Sequence, residues 1–180
     1  YALGRLGDAR GLEPLCRLTI HRDFGFMVCE QLGRLGNADA IPALRRAWKR
    51  FFLHPLTRVR AAASLVRLGE RAPEDYLVRM CRSWRSDVRG LALEMLGEVG
   101  GEWALQPLLD GLKGRSADAA ARALGQLGNP RAVTALQEAL TLAERARAAG
   151  LPQTANPYQG ALMAFFWNSG WFEANADDHR

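Results

Sequence analysis

The sequence contains few of the residues from which metal sites, disulfide frameworks and redox centres are built. Its 180 residues include three cysteines and three histidines. Cys16, Cys29 and Cys81 form no C-x-x-C pair, and no histidine lies at ligand spacing from a cysteine or carboxylate cluster. We therefore expect no metal and no cofactor. The odd number and wide spacing of the cysteines favour free thiols, buried as small hydrophobic groups in a reducing compartment, which predicts a cytoplasmic protein.

Signatures of catalysis and of membrane insertion are also missing. The sequence has no G-x-S-x-G, no H-E-x-x-H and no P-loop. No apolar run approaches the roughly 18 residues that span a bilayer, and no charged-then-apolar leader opens the sequence. Hydrophobic residues make up 48% and charged residues 24%, a typical balance for a globular domain. We predict a protein without a membrane span and without enzymatic activity.

Positive charge is concentrated in the first hundred residues. Residues 1–100 contain 17 lysines and arginines against 11 acidic residues, whereas residues 101–180 contain 7 against 8. Such an asymmetry favours an anionic or acidic partner for the first part of the chain.

A short glycine motif recurs along the chain and defines a repeat. The letters LGRLG occur at 3–7 and 32–36, and LGQLG occurs at 124–128. The last glycine of this motif or of a related one recurs every 28 to 33 residues, at Gly7, Gly36, Gly69, Gly100 and Gly128. Eight residues after each glycine a leucine follows, at Leu15, Leu44, Leu77, Leu108 and Leu136. Five residues after, the stripe continues at Leu12, Ile41, Leu105 and Val133, with Glu74 as the exception. Alanine-rich and leucine-rich helical stretches precede the glycines, so each repeat is predicted to be a helix pair.

The glycines have two interpretations. A phosphate-binding loop would need a strand before the glycine and a helix after it, and no strand pattern precedes any of them. The alternative is a left-handed residue that ends the first helix, followed by Asp8, Asn37 or Asn129 as the cap of the next helix. The first glycine of each motif then lies in the last helical turn, where it allows close packing. We favour this structural role.

The repeats resemble HEAT-like repeats of the short type, about thirty residues long, typified by phycobilisome-lyase proteins. The resemblance rests on Asp87-Val88-Arg89, on Thr57-Arg58, and on the turn Gly128-Asn129-Pro130-Arg131-Ala132, and it covers residues 1–149. Departures are Gly25 and Ala117 in the slot of the repeat arginine and Val66 in place of the first glycine. The resemblance implies an all-α, right-handed α-α superhelix, a solenoid of about five helix pairs.

Two regions are expected. Residues 1–149 form the repeat array, whose first repeat is incomplete because Tyr1–Gly4 aligns with Arg122–Gly125. Residues 150–180 form a polar loop, an aromatic-rich cap helix over 161–172 and an acidic tail. The aromatic segment is also a candidate surface for oligomer formation.

Repeat register predicts which surface residues could bind a partner. Ten residues after each glycine lie Arg17, Arg46, Arg79, Asp110 and Glu138, and thirteen after lie Ile20, Lys49, Arg82, Lys113 and Thr141. The resemblance implies that this side of the second helices lines a concave groove. Trp48 and Trp84 are predicted to be core, whereas Trp103 occupies a slot that is polar in most repeats. The candidate partner-binding residues are Arg17, Arg46, Lys49, Arg79, Arg82, Trp103 and Lys113; a merely solvated cationic face is the alternative.

The expected function is a scaffold or regulatory module that binds a protein partner with an acidic or mixed-charge surface. Nucleic-acid binding is the main alternative, because a basic groove also suits a phosphate backbone. The resemblance adds a bilin-lyase activity for which no residue can be assigned a role. Trp84 and Asp87 are similar to the aromatic-plus-aspartate pair of HEAT-like DNA glycosylases that remove alkylated bases, although an aspartate at a helix start is expected as a cap.

Overall fold

The computed structural model describes residues 12–112, 115–134, 136–137 and 141, and their regular secondary structure is entirely helical. This confirms the all-α prediction. Residues 38–40 form a 3-10 turn that leads directly into a helix, and 130–134 and 136–137 are also helical. The named α-helices are α1 (Leu12–Leu18), α2 (Gly25–Leu35), α3 (Ile41–Lys49), α4 (Pro55–Arg67), α5 (Glu74–Met80), α6 (Ser86–Val99), α7 (Glu102–Leu112) and α8 (Ala117–Leu127).

The chain divides into two compact units, Tyr1–Met95 and Leu96–Arg180. Within the first unit, α1 packs on α2 and α3, both α2 and α3 pack on α4, and α4 packs on α5. Within the second unit, α7 packs on α8. The predicted boundary at 149, the cap helix and the acidic tail lie outside the described residues, as does the helix expected before Gly7.

The leucine eight residues after each glycine is the most regular feature of the core. These leucines lie in the second helix of each pair, and their exposed fractions are 3% or less at Leu15, Leu44, Leu77, Leu108 and Leu136. Full burial of a leucine side chain contributes about 1.5–3 kcal/mol relative to exposure, so the predicted stripe is a real source of stability.

The apolar position five residues after each repeat glycine is less uniformly buried. Leu12 and Ile41 are half-buried and Leu105 is buried, but Val133 is 47% exposed. The prediction of a buried apolar side chain at this position, made for every repeat except that of Glu74, is therefore wrong at Val133. The position lies in the first turn of the second helix, so its burial depends on what neighbouring elements cover.

The helix-ending glycines largely behave as predicted. Gly36 and Gly128 end α2 and α8 in the left-handed conformation, with φ of +73° and +64°, and Gly69 has φ of +91°. Gly100 does not adopt a positive φ, which corrects the prediction for that repeat. A Cβ at Gly100 would instead clash with the Leu96 carbonyl oxygen and with the side chain of Ala104. Glycine is required there by close packing.

The two asparagines cap the following helices as predicted. Asn37 Oδ1 accepts a hydrogen bond from the Asp39 amide at 2.8 Å, and Asn129 Oδ1 accepts one from the Arg131 amide at 2.9 Å. Each side chain satisfies an amide that the helix itself leaves without a partner. Gly7 and Asp8 lie outside the described residues.

Close contact between successive first helices depends on the first glycine of the motif. A Cβ at Gly33 of α2 would lie 2.5 Å from Oγ and 2.7 Å from Cβ of Ser64 in α4. At the same contact the buried Ser64 hydroxyl donates to the Cys29 carbonyl at 2.7 Å. Gly97 of α6 meets Ala123 of α8 in the equivalent way, with 2.6 Å from its ideal Cβ to the Ala123 Cα.

The repeat arginines fasten the start of a first helix to the chain before it. Arg58 Nε donates to the Trp48 carbonyl at 3.0 Å, and Arg89 donates from a terminal guanidinium nitrogen to the Ser83 carbonyl at 2.8 Å. Both acceptors are carbonyls at or beyond the end of a second helix, where no intrahelical donor reaches them. The arginines that carry the family resemblance therefore have a structural role.

Arg60 in α4 is an exception to the apolar packing between first helices. It is 8% exposed, and its guanidinium carbon lies 4.8 Å from the ring centroid of Phe26 in α2. Its buried Nε has no hydrogen-bond partner, and no carboxylate among the described residues pairs with it. A buried guanidinium nitrogen without a hydrogen-bond partner costs free energy, because the lost hydration of that N–H is not replaced.

Gly33 and Gly90 provide a matched test of the close contact. Gly33→Ala is expected to lower the free energy of unfolding by about 1–3 kcal/mol, because the methyl group meets Ser64. Gly90, inside α6, has open space around its ideal Cβ. Gly90→Ala is expected to raise the free energy of unfolding by about 0.5–1 kcal/mol through helix propensity. Urea denaturation followed by circular dichroism measures both, and a neutral or stabilising Gly33→Ala would contradict the packing described.

Arg60→Met is expected to increase stability by about 1–4 kcal/mol, because a flexible apolar side chain replaces an unpaired buried charge of similar length. Arg34→Met is the control, since the Arg34 side chain is 61% exposed, and it is expected to change stability by less than about 0.5 kcal/mol. The same denaturation experiment applies. A loss of more than about 1 kcal/mol in Arg60→Met would show that the contact with Phe26 outweighs the desolvation of the charge.

Candidate functional site

The predicted cationic row lies on the second helices of the first unit. Arg17 of α1, Arg46 and Lys49 of α3, and Arg79 of α5 are all exposed. Arg82 is exposed as well, but it lies two residues beyond the end of α5 and therefore belongs to the following loop. Lys113 falls outside the described residues.

A pair of aromatic rings joins α3 to α5 beneath this row. The rings of Trp48 and Tyr76 meet edge to face, with centroids 6.1 Å apart and an interplanar angle of 70°. Tyr76 is 6% exposed and Trp48 is half-buried against the core of the first unit. Trp48 therefore packs at the edge of the core, close to the predicted place.

Cations surround these two rings. Arg58 and Arg79 lie 5.4 Å and 5.7 Å from the Tyr76 ring centroid, and Lys49 Nζ lies 5.8 Å from that of Trp48. Burial raises the pKa of the Tyr76 hydroxyl, and the positive charges of Arg58 and Arg79 oppose that shift. We call Lys49, Trp48, Arg58, Tyr76 and Arg79 the cationic cluster.

The row is not uniformly charged. Arg17 forms an ion pair with Glu13 one turn earlier in α1, which neutralises that end. Arg46, Lys49 and Arg79 form no ion pair with any described residue. The uncompensated positive charge of the row is thus centred on α3 and α5, where it is available to an anionic group.

The acidic positions of the predicted row, Asp110 and Glu138, belong to the second unit. Asp110 is exposed in α7 and accepts a hydrogen bond from Gln106 Nε2 at 3.0 Å. The side chain of Glu138 is outside the described residues. Trp103, in the first turn of α7, is half-buried with its indole beside Gly101.

Trp84 contradicts its predicted place in the core, because it is 90% exposed. The register that equates it with Phe51 is nevertheless right, since Phe51 is 77% exposed. Helices α3 and α5 end at Lys49 and Met80, so both aromatic residues lie in loops beyond the helical stripe. Repeat register identified them as equivalent, but without the helix ends it could not show that the shared position faces solvent.

Sequence reasoning missed the exposed aromatic loops altogether. Phe24 and Phe52 are 53% and 94% exposed, in addition to Phe51 and Trp84. The second helices are short, so each of these rings lies in the loop between a second helix and the first helix of the next repeat. A sequence analysis that had recognised these short helices could have predicted the exposure of the rings.

The described residues offer little for catalysis. The Asp87 carboxylate accepts two hydrogen bonds from Arg85, one from Nε at 3.2 Å and one from a terminal guanidinium nitrogen at 2.7 Å. It also accepts a hydrogen bond from the Val88 amide at 2.9 Å. The hydrogen bond from Arg85 lowers the pKa of Asp87, so this carboxylate remains ionised and engaged. Within the described ranges, no three histidine, cysteine or acidic side chains cluster to hold a metal. None of the helices in that part of the chain is long and apolar enough to cross a membrane.

The thiols are buried rather than activated. Burial raises the pKa of Cys29 and of Cys81 to about 12, and it also raises that of Cys16, which is half-buried. A nucleophilic cysteine needs the opposite shift, because the thiolate is the reactive form. All three are free thiols, as the sequence predicted.

Thiol labelling tests this burial. Because burial raises the pKa of Cys29 and Cys81 to about 12, both thiols are expected to be almost entirely protonated at pH 8. Ellman's reagent is therefore expected to react with them only after unfolding in guanidinium. A Cys16→Ser variant reports on these two thiols alone, and rapid reaction of either thiol in the folded variant would contradict their burial.

Comparison with known families agrees with this architecture. Residues 117–141 match the family model of the PBS lyase HEAT-like repeat. The matched segment begins with α8, contains the left-handed Gly128 and its capping Asn129, and extends through the following helical residues. A search of the curated proteins finds no match. Residues 117–141 therefore match a HEAT-like repeat, and the earlier segments share its helix pairs and buried leucines, which supports an all-helical HEAT-like repeat architecture.

Proposed function

We propose that the protein is a scaffold or regulatory module that binds a protein partner on the second-helix face of its first unit. The observation that carries the proposal is the cationic cluster together with Arg46. These residues combine exposed positive charge with aromatic rings, and no described carboxylate neutralises Arg46, Lys49 or Arg79.

The composition of this face suits a partner of acidic or mixed charge. Aromatic residues and arginine are the residue types most often enriched in the energetically important parts of protein interfaces. Trp48 and Tyr76 hold their positions through core contacts, and the Arg58 guanidinium is fixed by its bond to the Trp48 carbonyl. A partner would therefore meet a face whose centre is ordered beforehand, which lowers the entropic cost of binding.

Arg17 is expected to contribute less to partner binding than Arg46, Lys49 or Arg79, because its charge is already paired with Glu13. Trp103 and Asp110 belong to the second unit and are candidate contacts of that unit by itself. Buried free thiols accord with a reducing environment, and we include a cytoplasmic location in the proposal.

The proposal is tested by peptide selection. Random twelve-residue peptides selected on the immobilised protein at 50 mM salt are expected to be enriched in aspartate and glutamate. The variant Arg46→Glu/Lys49→Glu/Arg79→Glu is expected to bind these peptides about thirtyfold more weakly or worse, because like charges would then face each other. Fluorescence anisotropy with labelled peptides provides the affinities.

A charge-matched variant provides the control. Arg34, Arg71 and Arg122 are exposed residues outside the proposed face, and changing all three to glutamate alters net charge by the same amount. This control should retain binding. Selection of peptides without acidic residues, or equal loss of affinity in both variants, would show that the second-helix face is not the binding surface.

A further inference from the structure

Three loops of the first unit share one place in the repeat. Residues 19–24 connect α1 to α2, residues 50–54 connect α3 to α4, and residues 81–85 connect α5 to α6. Each follows a second helix and precedes the next first helix. Short connections between packed helices reverse the chain direction, so alternate loops emerge at the same end of the helix pairs. Contacts of α1 with α3 and of α2 with α4 place equivalent helices side by side. We call these three loops the loop edge.

The loop edge contains every strongly exposed aromatic side chain of the described residues. Among the described residues, seven large hydrophobic side chains are exposed, and the four aromatic ones all belong to these loops. Their exposed fractions are 53% for Phe24, 77% for Phe51, 94% for Phe52 and 90% for Trp84. Single exposed hydrophobic residues need no explanation, but exposed rings that recur in equivalent loops indicate a binding surface.

The rings are arranged with open faces. Phe51 and Phe52 meet edge to face, with centroids 5.3 Å apart and planes at 87°, so the edge of one ring contacts one face of the other and the remaining ring faces stay open. Trp84 makes no ring contact with any described residue. In the first loop His21 stacks on Phe24 with centroids 4.9 Å apart, which occupies one face of that phenylalanine.

Each loop also places an arginine within two residues of an exposed ring. Arg22, Arg50 and Arg82 are exposed, and neither Arg22 nor Arg50 forms an ion pair with a described residue. Arg85, in the third loop, forms an ion pair with Asp87. The acidic residue of the first loop, Asp23, donates its backbone amide to His21 Nδ1 at 3.2 Å. The loop edge thus repeats one unit, a ring beside a guanidinium, about every thirty residues.

We propose that the loop edge binds single-stranded nucleic acid, with bases stacked on Phe51, Phe52 and Trp84 and phosphates contacted by Arg22, Arg50 and Arg82. A single strand is itself a repeat of an aromatic base and an anionic phosphate. Open ring faces and neighbouring cations are the two features that such a strand requires. Duplex DNA is a poorer match, because its bases are stacked inside the helix and expose no face to a protein ring. This surface is distinct from the cationic cluster of the second helices.

An anionic lipid surface also attracts exposed aromatic and basic residues. The regular spacing of one ring-and-cation unit per repeat favours a linear polymer, because a bilayer imposes no spacing along the array. The experiment includes vesicles so that a lipid partner would be recognised.

Fluorescence anisotropy with labelled dT20 and rU20 tests the proposal on the full chain at 50 mM salt. Micromolar binding is expected. Unlabelled duplex is expected to displace the labelled strand less well than unlabelled single strands do. Phe51→Ala/Phe52→Ala/Trp84→Ala is expected to weaken binding at least thirtyfold with an unchanged salt dependence, because stacking is not ionic. Arg22→Gln/Arg50→Gln/Arg82→Gln is expected to reduce the slope of log affinity against log salt by about 2, since each single-strand phosphate contact contributes about 0.7.

Met27→Ala/Val133→Ala is the matched control, because both side chains are exposed hydrophobics outside the loop edge; it should bind as the wild type does. Quenching of tryptophan fluorescence by dT20 should disappear when Trp84 alone is changed to alanine. Absence of binding at 50 mM salt, equal binding by the triple alanine variant, or equal preference for duplex would each overturn the proposal. Ring-dependent binding to phosphatidylglycerol vesicles without binding to dT20 or rU20 would overturn it in favour of a lipid surface.

Discussion

The arrangement of the helices depends on close contact between successive first helices. At Gly33 and at Gly97 the facing residues, Ser64 and Ala123, occupy the space that a side chain would need. This contact sets how near one repeat lies to the next, and the second helices then bury their leucines in the space that remains. Because interiors pack at nearly crystalline density, a shift of one methyl group at this contact would be transmitted to the core. The first glycine of the recurring motif therefore allows close packing between repeats, and the second glycine ends a helix within one repeat.

Polar contacts connect this packing to the surface that we propose for partner binding. Arg58 occupies the slot of the repeat arginine and fastens α4 to the carbonyl of Trp48. The same guanidinium lies over Tyr76, which contacts Trp48 edge to face. One structural residue thus helps to order the aromatic centre of the cationic cluster. Exposed Lys49 and Arg79 add charge around that centre without taking part in the core.

The first unit presents two surfaces of different chemistry. The second-helix face combines cations with rings that are largely buried, whereas the rings of the loop edge are more than half exposed and lie near its arginines in sequence. The difference follows from helix length. Because α3 and α5 end soon after their last buried residue, the aromatic residues that follow them leave the packed interior. Both surfaces carry cations from residues 1–100, the part of the sequence with the excess of positive charge.

Much of the architecture was determined by the sequence alone. Helix pairs, the left-handed Gly36 and Gly128, the asparagine caps and the buried leucines all follow from local propensity and from a regular period, which need no knowledge of distant contacts. The residue types and the register of the cationic row were also readable from the sequence.

Other features were decided by the tertiary structure. Trp84 is exposed because α5 ends before it, Gly100 avoids the left-handed conformation at a crowded contact, and Arg60 is buried by packing against α2. Whether a side chain is covered, and by which neighbour, depends on where helices end and how closely they approach. A periodic pattern assigns equivalent positions, but only the folded chain determines which of those positions meet solvent.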